Sequence, residues 1–102
     1  MHGEYKVPGG KLVVVDLDVR DGVLAAVQVS GDFFLDPDSA LDAIDAALCG
    51  LPVDAGEALI AAAARLGAGP EATWFGITPE GVAIAVRRAL GHPAGPAEGA
   101  TA

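Results

Sequence analysis

Residues 5–34, YKVPGGKLVVVDLDVRDGVLAAVQVSGDFF, decide the fold of this chain. Two β-branched runs, residues 11–20 and 23–29, alternate apolar and polar side chains, which is the pattern of a half-buried strand. Between the runs lies Asp21-Gly22, a typical hairpin turn. The stretch therefore predicts an antiparallel hairpin, with a glycine-rich turn before it and two adjacent aromatic side chains after it.

The alternation also predicts the length of the hairpin loop. A two-residue loop at Asp21-Gly22 would place Gln28 opposite Val15 and direct a polar side chain into the core. A three-residue loop, residues 20–22, gives only apolar pairs: Val19–Val23, Leu17–Ala25, Val15–Val27 and Val13–Val29. We therefore expect the three-residue loop, with Gly22 in the left-handed region of backbone conformation.

The segments on either side of the hairpin predict one more strand and three helices. Residues 3–7 are expected to form an edge strand that Pro8 ends, because proline has no ladder donor. The helices are expected over residues 37–49, from Asp54 to about residue 67, and from Thr78-Pro79 to Gly91. Trp74-Phe75, in the last connection, is expected to pack back as a plug.

The helical spacing of apolar residues predicts which face of each helix is buried. Asp36 is the expected N-cap of the first helix, with Asp42 and Asp45 on its outer face. The expected buried sets are Leu41, Ile44 and Leu48 in the first helix, Leu59, Ala62, Ala63 and Leu66 in the second, and Val82, Val86 and Leu90 in the third. Together these elements predict an α+β fold: a small antiparallel sheet of two to three strands followed by three helices packed on one face.

The composition restricts the class of protein. A length of 102 residues fits one domain, expected over residues 1–91, and the Pro-, Gly- and Ala-rich residues 92–102 predict a disordered tail. The net charge of −8 argues against a nucleic-acid or anionic-membrane surface. No segment has the pattern of a signal peptide or a membrane span, so a cytoplasmic location is expected.

Cysteine and histidine usage gives no sign of a metal site. The single Cys49 excludes an internal disulfide, and no set of His, Cys and carboxylate side chains has the spacing of metal ligands. Cys49 is expected at the C-terminal end of the first helix, where the helix dipole disfavours a thiolate, and we expect it to be buried and inert.

A basic, glycine-rich turn is the first candidate site, formed by Lys6, Gly9, Gly10 and Lys11. Adjacent glycines allow backbone N–H groups to approach an anion closely, and two ammonium groups add positive charge. The spacing of a P-loop is absent, so the turn is not a P-loop nucleotide site. Its alternative interpretation is a β-turn with two solvated lysines.

The second candidate site is Asp32-Phe33-Phe34. Two adjacent aromatic side chains cannot both point inward from one strand, so one is expected at the surface, where it would suit a partner protein. The alternative is a bend that buries both rings.

Three features resemble the small C-terminal accessory domain of lipoate–protein ligases: residues 5–11 (YKVPGGK), the hairpin with its Asp21-Gly22 turn, and residues 29–34 (VSGDFF) before a helix that begins with proline. The resemblance implies a fold akin to that of sulfur-transfer and iron–sulfur scaffold proteins. In the family, a large catalytic domain makes lipoyl-AMP and transfers the lipoyl group to a lysine of an acceptor domain. The small domain is in some members a separate subunit.

The resemblance implies a non-catalytic accessory subunit of a bipartite lipoate–protein ligase, needed with the catalytic subunit for ATP-dependent activation of lipoate. The family's catalytic lysine lies in the large domain, so no catalytic residue and no metal ligand is expected here. The chain alone would bind no cofactor, whereas its complex with the catalytic subunit would use ATP, Mg²⁺ and lipoate. Lipoyl-acceptor domains would be indirect partners.

The same resemblance assigns roles to the two candidate sites. Lys6, Gly9, Gly10 and Lys11 would face the nucleotide or adenylate, and the partner interface would contain Tyr5, Asp32, Phe33 and Phe34. Two other classes of function stay open: a sulfur-acceptor or iron–sulfur scaffold-like protein that uses Cys49, and a small-ligand or regulatory binding module.

Overall fold

The computed structural model describes residues 1–91, and the tail predicted over residues 92–102 lies outside them. Strands β1 (His2–Lys6), β2 (Leu12–Arg20) and β3 (Val23–Gly31) form an antiparallel sheet in the order β1-β2-β3. Strands β4 (Phe34–Asp36) and β5 (Thr73–Phe75) form a second, two-stranded antiparallel sheet. The helices are α1 (Ser39–Leu48), α2 (Glu57–Ala68) and α3 (Pro79–Ala89). The predicted α+β fold is confirmed, and the second sheet is an addition to it.

The helices cover one face of the three-stranded sheet. Helix α1 packs on β3, α3 packs on β1 and β2, and α2 packs on α1 and α3. The covered face carries the buried side chains of Val13, Val15 and Leu17, whereas Asp16 and Asp18 point to solvent. None of the helices in residues 1–91 is long and apolar enough to cross a membrane.

The register of the β2–β3 hairpin differs from the expected one. Arg20 pairs with Val23, so the loop has two residues, and Asp21 and Gly22 both have positive φ, +55° and +77°. Two positive φ angles are what the favoured two-residue hairpin turn requires. Val15 therefore lies opposite Val29 rather than Val27. The three-residue loop was wrong, although the positive φ of Gly22 is confirmed.

A β-bulge removes the conflict that argued for the longer loop. The pairing shifts between Asp18–Ala25 and Asp16–Gln28, which leaves one extra residue in β3. Ala26, with a φ of +50°, is in the left-handed region at this point. The extra residue reverses which side chains of β3 face the core, so that Gln28 stays exposed although the loop is short.

The bulge also changes the buried set of β3. Leu24 is 1% exposed before the bulge, and Val27 and Val29 are buried after it. Val23 and Ala25, which were expected to face the core with them, are half-buried. A strict period-two pattern describes each half of the strand but not the whole strand.

Asp45 of α1 stabilises the outer edge of β3 and is not on the solvent face predicted for it. Its Oδ1 accepts a hydrogen bond from the backbone N–H of Val29 at 2.9 Å. Burial raises the pKa of the Asp45 carboxyl, and the Val29 N–H acts in the opposite direction. An edge N–H of the sheet is thereby satisfied by a helix side chain.

The first helix is shorter than predicted. Asp36 is the last residue of β4, and the N-cap position of α1 is Asp38. Of the three residues expected on its buried stripe, Ile44 and Leu48 are fully buried and Leu41 is half-buried. The pairing of β4 with β5 explains the shift, because it keeps Asp36 extended.

The second helix buries a different face from the predicted one. It begins at Glu57 rather than Asp54, and its buried residues are Ile60, Ala61 and Ala64. Leu59 and Leu66 are 49% and 82% exposed. The reason is close packing on α1: a Cβ on Gly67 would lie 2.6 Å from the Cβ of Ala47. So short a distance allows only a small residue where α2 approaches α1 at Gly67, and this approach determines the buried face of α2, which leaves Leu59 and Leu66 outside.

The third helix begins as predicted. Thr78 is its N-cap, and the Thr78 hydroxyl accepts a hydrogen bond from the Gly81 N–H at 2.9 Å. Val82 and Val86 are fully buried, whereas Leu90 is half-buried at the C-cap. The helix thus ends at Ala89, just before the predicted stop.

The bulge predicts opposite effects of the same substitution at adjacent residues. Ala25→Gly, in regular strand, should lower the free energy of unfolding by about 0.5–1 kcal/mol, because glycine loses more backbone entropy on folding. Ala26→Gly should leave that free energy unchanged or raise it by up to about 1 kcal/mol, because alanine is strained at positive φ. Urea denaturation of both variants measures the difference, and equal destabilisation by the two would contradict the bulge at Ala26.

Candidate functional site

The basic turn is a closed β-turn that presents its lysines to solvent. The Gly10 N–H donates to the Val7 carbonyl oxygen at 2.8 Å, and Gly9 has a φ of +72°. Proline followed by a glycine of positive φ is the composition of a type II turn. Val7 in turn donates to the Lys11 carbonyl oxygen at 3.1 Å. Both Lys6 and Lys11 are exposed.

The turn is held against the end of β5. The Lys11 N–H donates to the carbonyl oxygen of Gly76 at 2.8 Å. A Cβ on Gly10 would lie 2.8 Å from that same oxygen, and a Cβ on Gly76 would lie 2.5 Å from the Lys11 Cγ. Both glycines are therefore required for the contact, which fixes Lys11 beside the residue that follows Phe75.

The hydrogen bonds of the turn define how it can bind an anion. The N–H groups of Gly10 and Lys11 already donate to the carbonyl oxygens of Val7 and Gly76. An anion at this turn would thus be bound by the ammonium groups of the lysines and not by these two amides. A nucleotide-facing role of Lys6, Gly9, Gly10 and Lys11 stays a prediction.

Phe34 and Phe75 form a stacked pair on the outer face of the second sheet. Their ring centroids are 4.6 Å apart with an interplanar angle of 22°, and the two residues are 61% and 42% exposed. Leu35, between them and the core, is 3% exposed and points inward. We call the pair Phe34–Phe75 the aromatic ledge.

Phe33, the neighbour of Phe34 in the sequence, is not exposed with it. It is half-buried and packs on the core, and a Cβ on Gly31 would lie 3.0 Å from its ring. Of the two alternatives for the adjacent rings, the structure thus shows one ring at the surface and one against the core. Trp74-Phe75 is not a plug, because these residues form β5 and only Trp74 packs inward.

The other two residues predicted at the partner interface lie in different environments. Asp32 is exposed, two residues before Phe34 in the sequence. Tyr5 is 5% exposed, with the guanidinium carbon of Arg88 4.9 Å from the centroid of its ring. Arg88 also donates to the Glu4 carbonyl oxygen at 3.2 Å. Tyr5 therefore belongs to the packing between β1 and α3.

The structure thus brings the two candidate sites together at one end of the molecule. The basic turn contacts Gly76, Gly76 follows the ledge residue Phe75, and Phe75 stacks on Phe34. Sequence reasoning missed Phe75 as a member of this surface. No periodic signal could have found it, because Thr73-Trp74-Phe75 is only three residues long and two adjacent residues of it are aromatic.

Cys49 is exposed and not buried as expected. It is the C-cap of α1, one residue beyond the fully buried Leu48, and its N–H donates to the Asp45 carbonyl oxygen at 3.3 Å. Helix α1 ends at Leu48, and the Cys49 side chain that follows is directed to solvent. Residues 1–91 contain no group of three or more His, Cys, Asp and Glu side chains that is arranged to hold a metal ion.

A histidine on the open face of the sheet lies between two carboxylates. His2 Nε2 is 2.7 Å from Glu4 Oε2, and His2 Nδ1 is 2.8 Å from Asp16 Oδ1. The hydrogen bond to Glu4, followed by that to Asp16, raises the pKa of His2 above its ordinary value of 6.5. Protonated His2 therefore links β1 to β2.

Because folding raises the pKa of His2, the stabilisation that it provides is present when the imidazole is protonated. It should be complete below the unfolded pKa of about 6.5 and should be lost as the pH rises through the folded pKa. The free energy of unfolding, measured by urea denaturation across this pH range, should fall. His2→Gln should remove that fall, and an unchanged pH profile in the variant would contradict the assignment.

The exposure of Cys49 predicts a small effect of its removal. Cys49→Ala should change the free energy of unfolding by no more than about 0.5 kcal/mol, because no buried volume is lost. One thiol per chain should react with an alkylating reagent in the native protein. Reaction only after denaturation would show that the thiol is buried.

No protein-family model matches the chain, and no curated protein matches it either. Among solved structures, the chain is similar to one from an archaeal lipoylation system, described as a bipartite lipoate protein ligase and its E2 lipoyl domain from Thermoplasma acidophilum. The two are 24% identical, with a TM-score of 0.61, over 88% of this chain and 97% of that one. The α+β fold described above is thus shared, over nearly its whole length, with a chain of an archaeal lipoylation system.

Proposed function

We propose that this chain is the non-catalytic accessory subunit of a bipartite lipoate–protein ligase. The observation that carries the proposal is the shared fold with a chain of the Thermoplasma acidophilum system, which covers 97% of that chain. The residues of the basic turn, the hairpin and the VSGDFF segment support the same function independently, because they resemble the small domain of such ligases.

The reaction assisted would be adenylation. A carboxylate oxygen of lipoate forms a bond to the α-phosphorus of ATP, and the bond from that phosphorus to pyrophosphate breaks. Negative charges approach each other in this step, so positioning and charge neutralisation limit its rate. The catalytic subunit would hold ATP, Mg²⁺ and lipoate.

The contribution of this chain would be positive charge beside the reacting phosphates. Its sequence has two lysines, and both flank the basic turn. The hydrogen bond from the Lys11 N–H to the Gly76 carbonyl oxygen fixes the backbone of the turn, so the side chains of both lysines extend from defined backbone positions. The turn would approach the nucleotide when the subunit docks. Transfer of the lipoyl group from preformed lipoyl-AMP to an acceptor lysine would depend less on the chain.

Lipoate-dependent release of pyrophosphate tests this function. The chain alone should release none, and its mixture with the catalytic subunit of the same organism should adenylate lipoate. Lys6→Ala or Lys11→Ala should slow adenylation at least tenfold, a loss of about 1.4 kcal/mol of transition-state stabilisation, without preventing complex formation. Full adenylation by the catalytic subunit without this chain would contradict the proposal.

Two matched variants sharpen the test. Arg20→Ala removes the same charge from the far end of β2, about 30 Å from Lys11 at about 3.3 Å per residue, and should adenylate at the wild-type rate. Cys49→Ala should also retain full activity, and its inactivity with an intact fold would favour sulfur chemistry. If both lysine variants adenylate normally, the chain acts by ordering loops of its partner.

A further inference from the structure

The aromatic ledge is an exposed apolar surface that the fold itself does not use. Phe34 is 61% exposed and Phe75 is 42% exposed, although most large apolar side chains of residues 1–91 are in the core. Two adjacent exposed aromatic rings are the kind of surface that proteins bury against partners. The aromatic ledge therefore has the character of a surface that a binding partner covers.

The ledge is held rigidly before any partner binds. The rings stack on each other at 4.6 Å, their strands pair through Phe34–Phe75 and Leu35–Trp74, and Leu35 anchors β4 in the core. A preformed surface loses little side-chain entropy on binding, which favours its use as an anchor.

Charge next to the ledge indicates what covers it. Both lysines of the sequence flank the turn that is bonded to Gly76, immediately after Phe75, whereas the chain as a whole carries a net charge of −8. Exposed Asp32 and Asp36 lie two residues before and after Phe34, so a partner surface with anionic groups would be attracted at the turn, on the Phe75 side of the ledge, and repelled by most of the rest of the chain. The partner surface that complements the aromatic ledge and the basic turn is an apolar recess with a bound anion at its edge.

We propose that the aromatic ledge docks into an apolar recess of the catalytic subunit beside its nucleotide site. The proposal rests on the function proposed above and adds the surface and the orientation to it. Phe34 and Phe75 provide the affinity, and the adjacent turn then presents Lys6 and Lys11 to the nucleotide. The residues that bind the partner, Phe34 and Phe75, are thus adjacent to the residues that provide positive charge, Lys6 and Lys11, but distinct from them.

The chain offers a second exposed apolar surface, on α2, as an internal control. Leu59 and Leu66 are 49% and 82% exposed on its outer face. The cation next to them, Arg65, is already paired with Glu80 at 2.7 Å. Nothing on that face favours an anionic partner, so Leu66 is a matched apolar position outside the proposed interface.

The experiment measures the affinity of the full chain for the catalytic subunit by titration calorimetry. Phe34→Ser and Phe75→Ser should each weaken binding at least tenfold, with or without ATP, whereas Leu66→Ser should change it less than twofold. Lys11→Ala should bind as the wild type does when no nucleotide is present. At saturating concentration of Phe34→Ser, adenylation should recover, because the lysines are intact. Circular dichroism verifies that each variant is folded.

The outcomes separate the inference from the function on which it rests. If the wild type binds and activates but the two Phe variants bind equally well, the ledge is not the docking surface and the proposed function stands. If Leu66→Ser alone weakens binding, the interface is on α2. If the wild-type chain neither binds nor activates the catalytic subunit, both the function and the docking surface are wrong.

Discussion

The hydrogen bond from the Lys11 N–H to the Gly76 carbonyl oxygen, 2.8 Å long, is the contact on which the candidate site depends. It joins the turn between β1 and β2 to the end of β5 and so connects the two sheets. Glycine is required on both sides, because a Cβ on Gly10 or on Gly76 would overlap its neighbour. The glycines of this turn thus act in packing, and the anion-binding role predicted for the whole motif would fall to the lysines alone.

The general fold was predictable because strands, turns and helix caps each have a characteristic local pattern of residue types in the sequence. The period-two runs located β2 and β3, and Thr78-Pro79 located the start of α3. The register was not predictable from alternation, since one extra residue at Ala26 makes a short loop compatible with an exposed Gln28. Whether a strand contains a bulge depends on tertiary packing, here the burial of both Leu24 and Val27.

The buried face of α2 and the extent of the site were beyond local reasoning for a related reason. Helical spacing fits Leu59 and Leu66 as well as Ile60 and Ala64, and the close approach of α1 at Gly67 decides between them. The exposed ring of the pair Phe33-Phe34 was predictable in principle, but its stacking partner Phe75 is distant in sequence. Long-range pairing of short strands leaves too few residues for a periodic signal.

The site combines an exposed pair of stacked aromatic rings with adjacent positive charge, on a chain whose fold is shared with a chain of an archaeal lipoylation system. Hydrogen exchange of this chain, with and without the catalytic subunit proposed as its partner, tests most directly whether the proposed docking surface contacts that subunit. Exchange should slow at residues 6–11, 34–36 and 73–76, with further protection of the turn when ATP and lipoate are added. Protection confined to α2, or no change on mixing, would contradict the account.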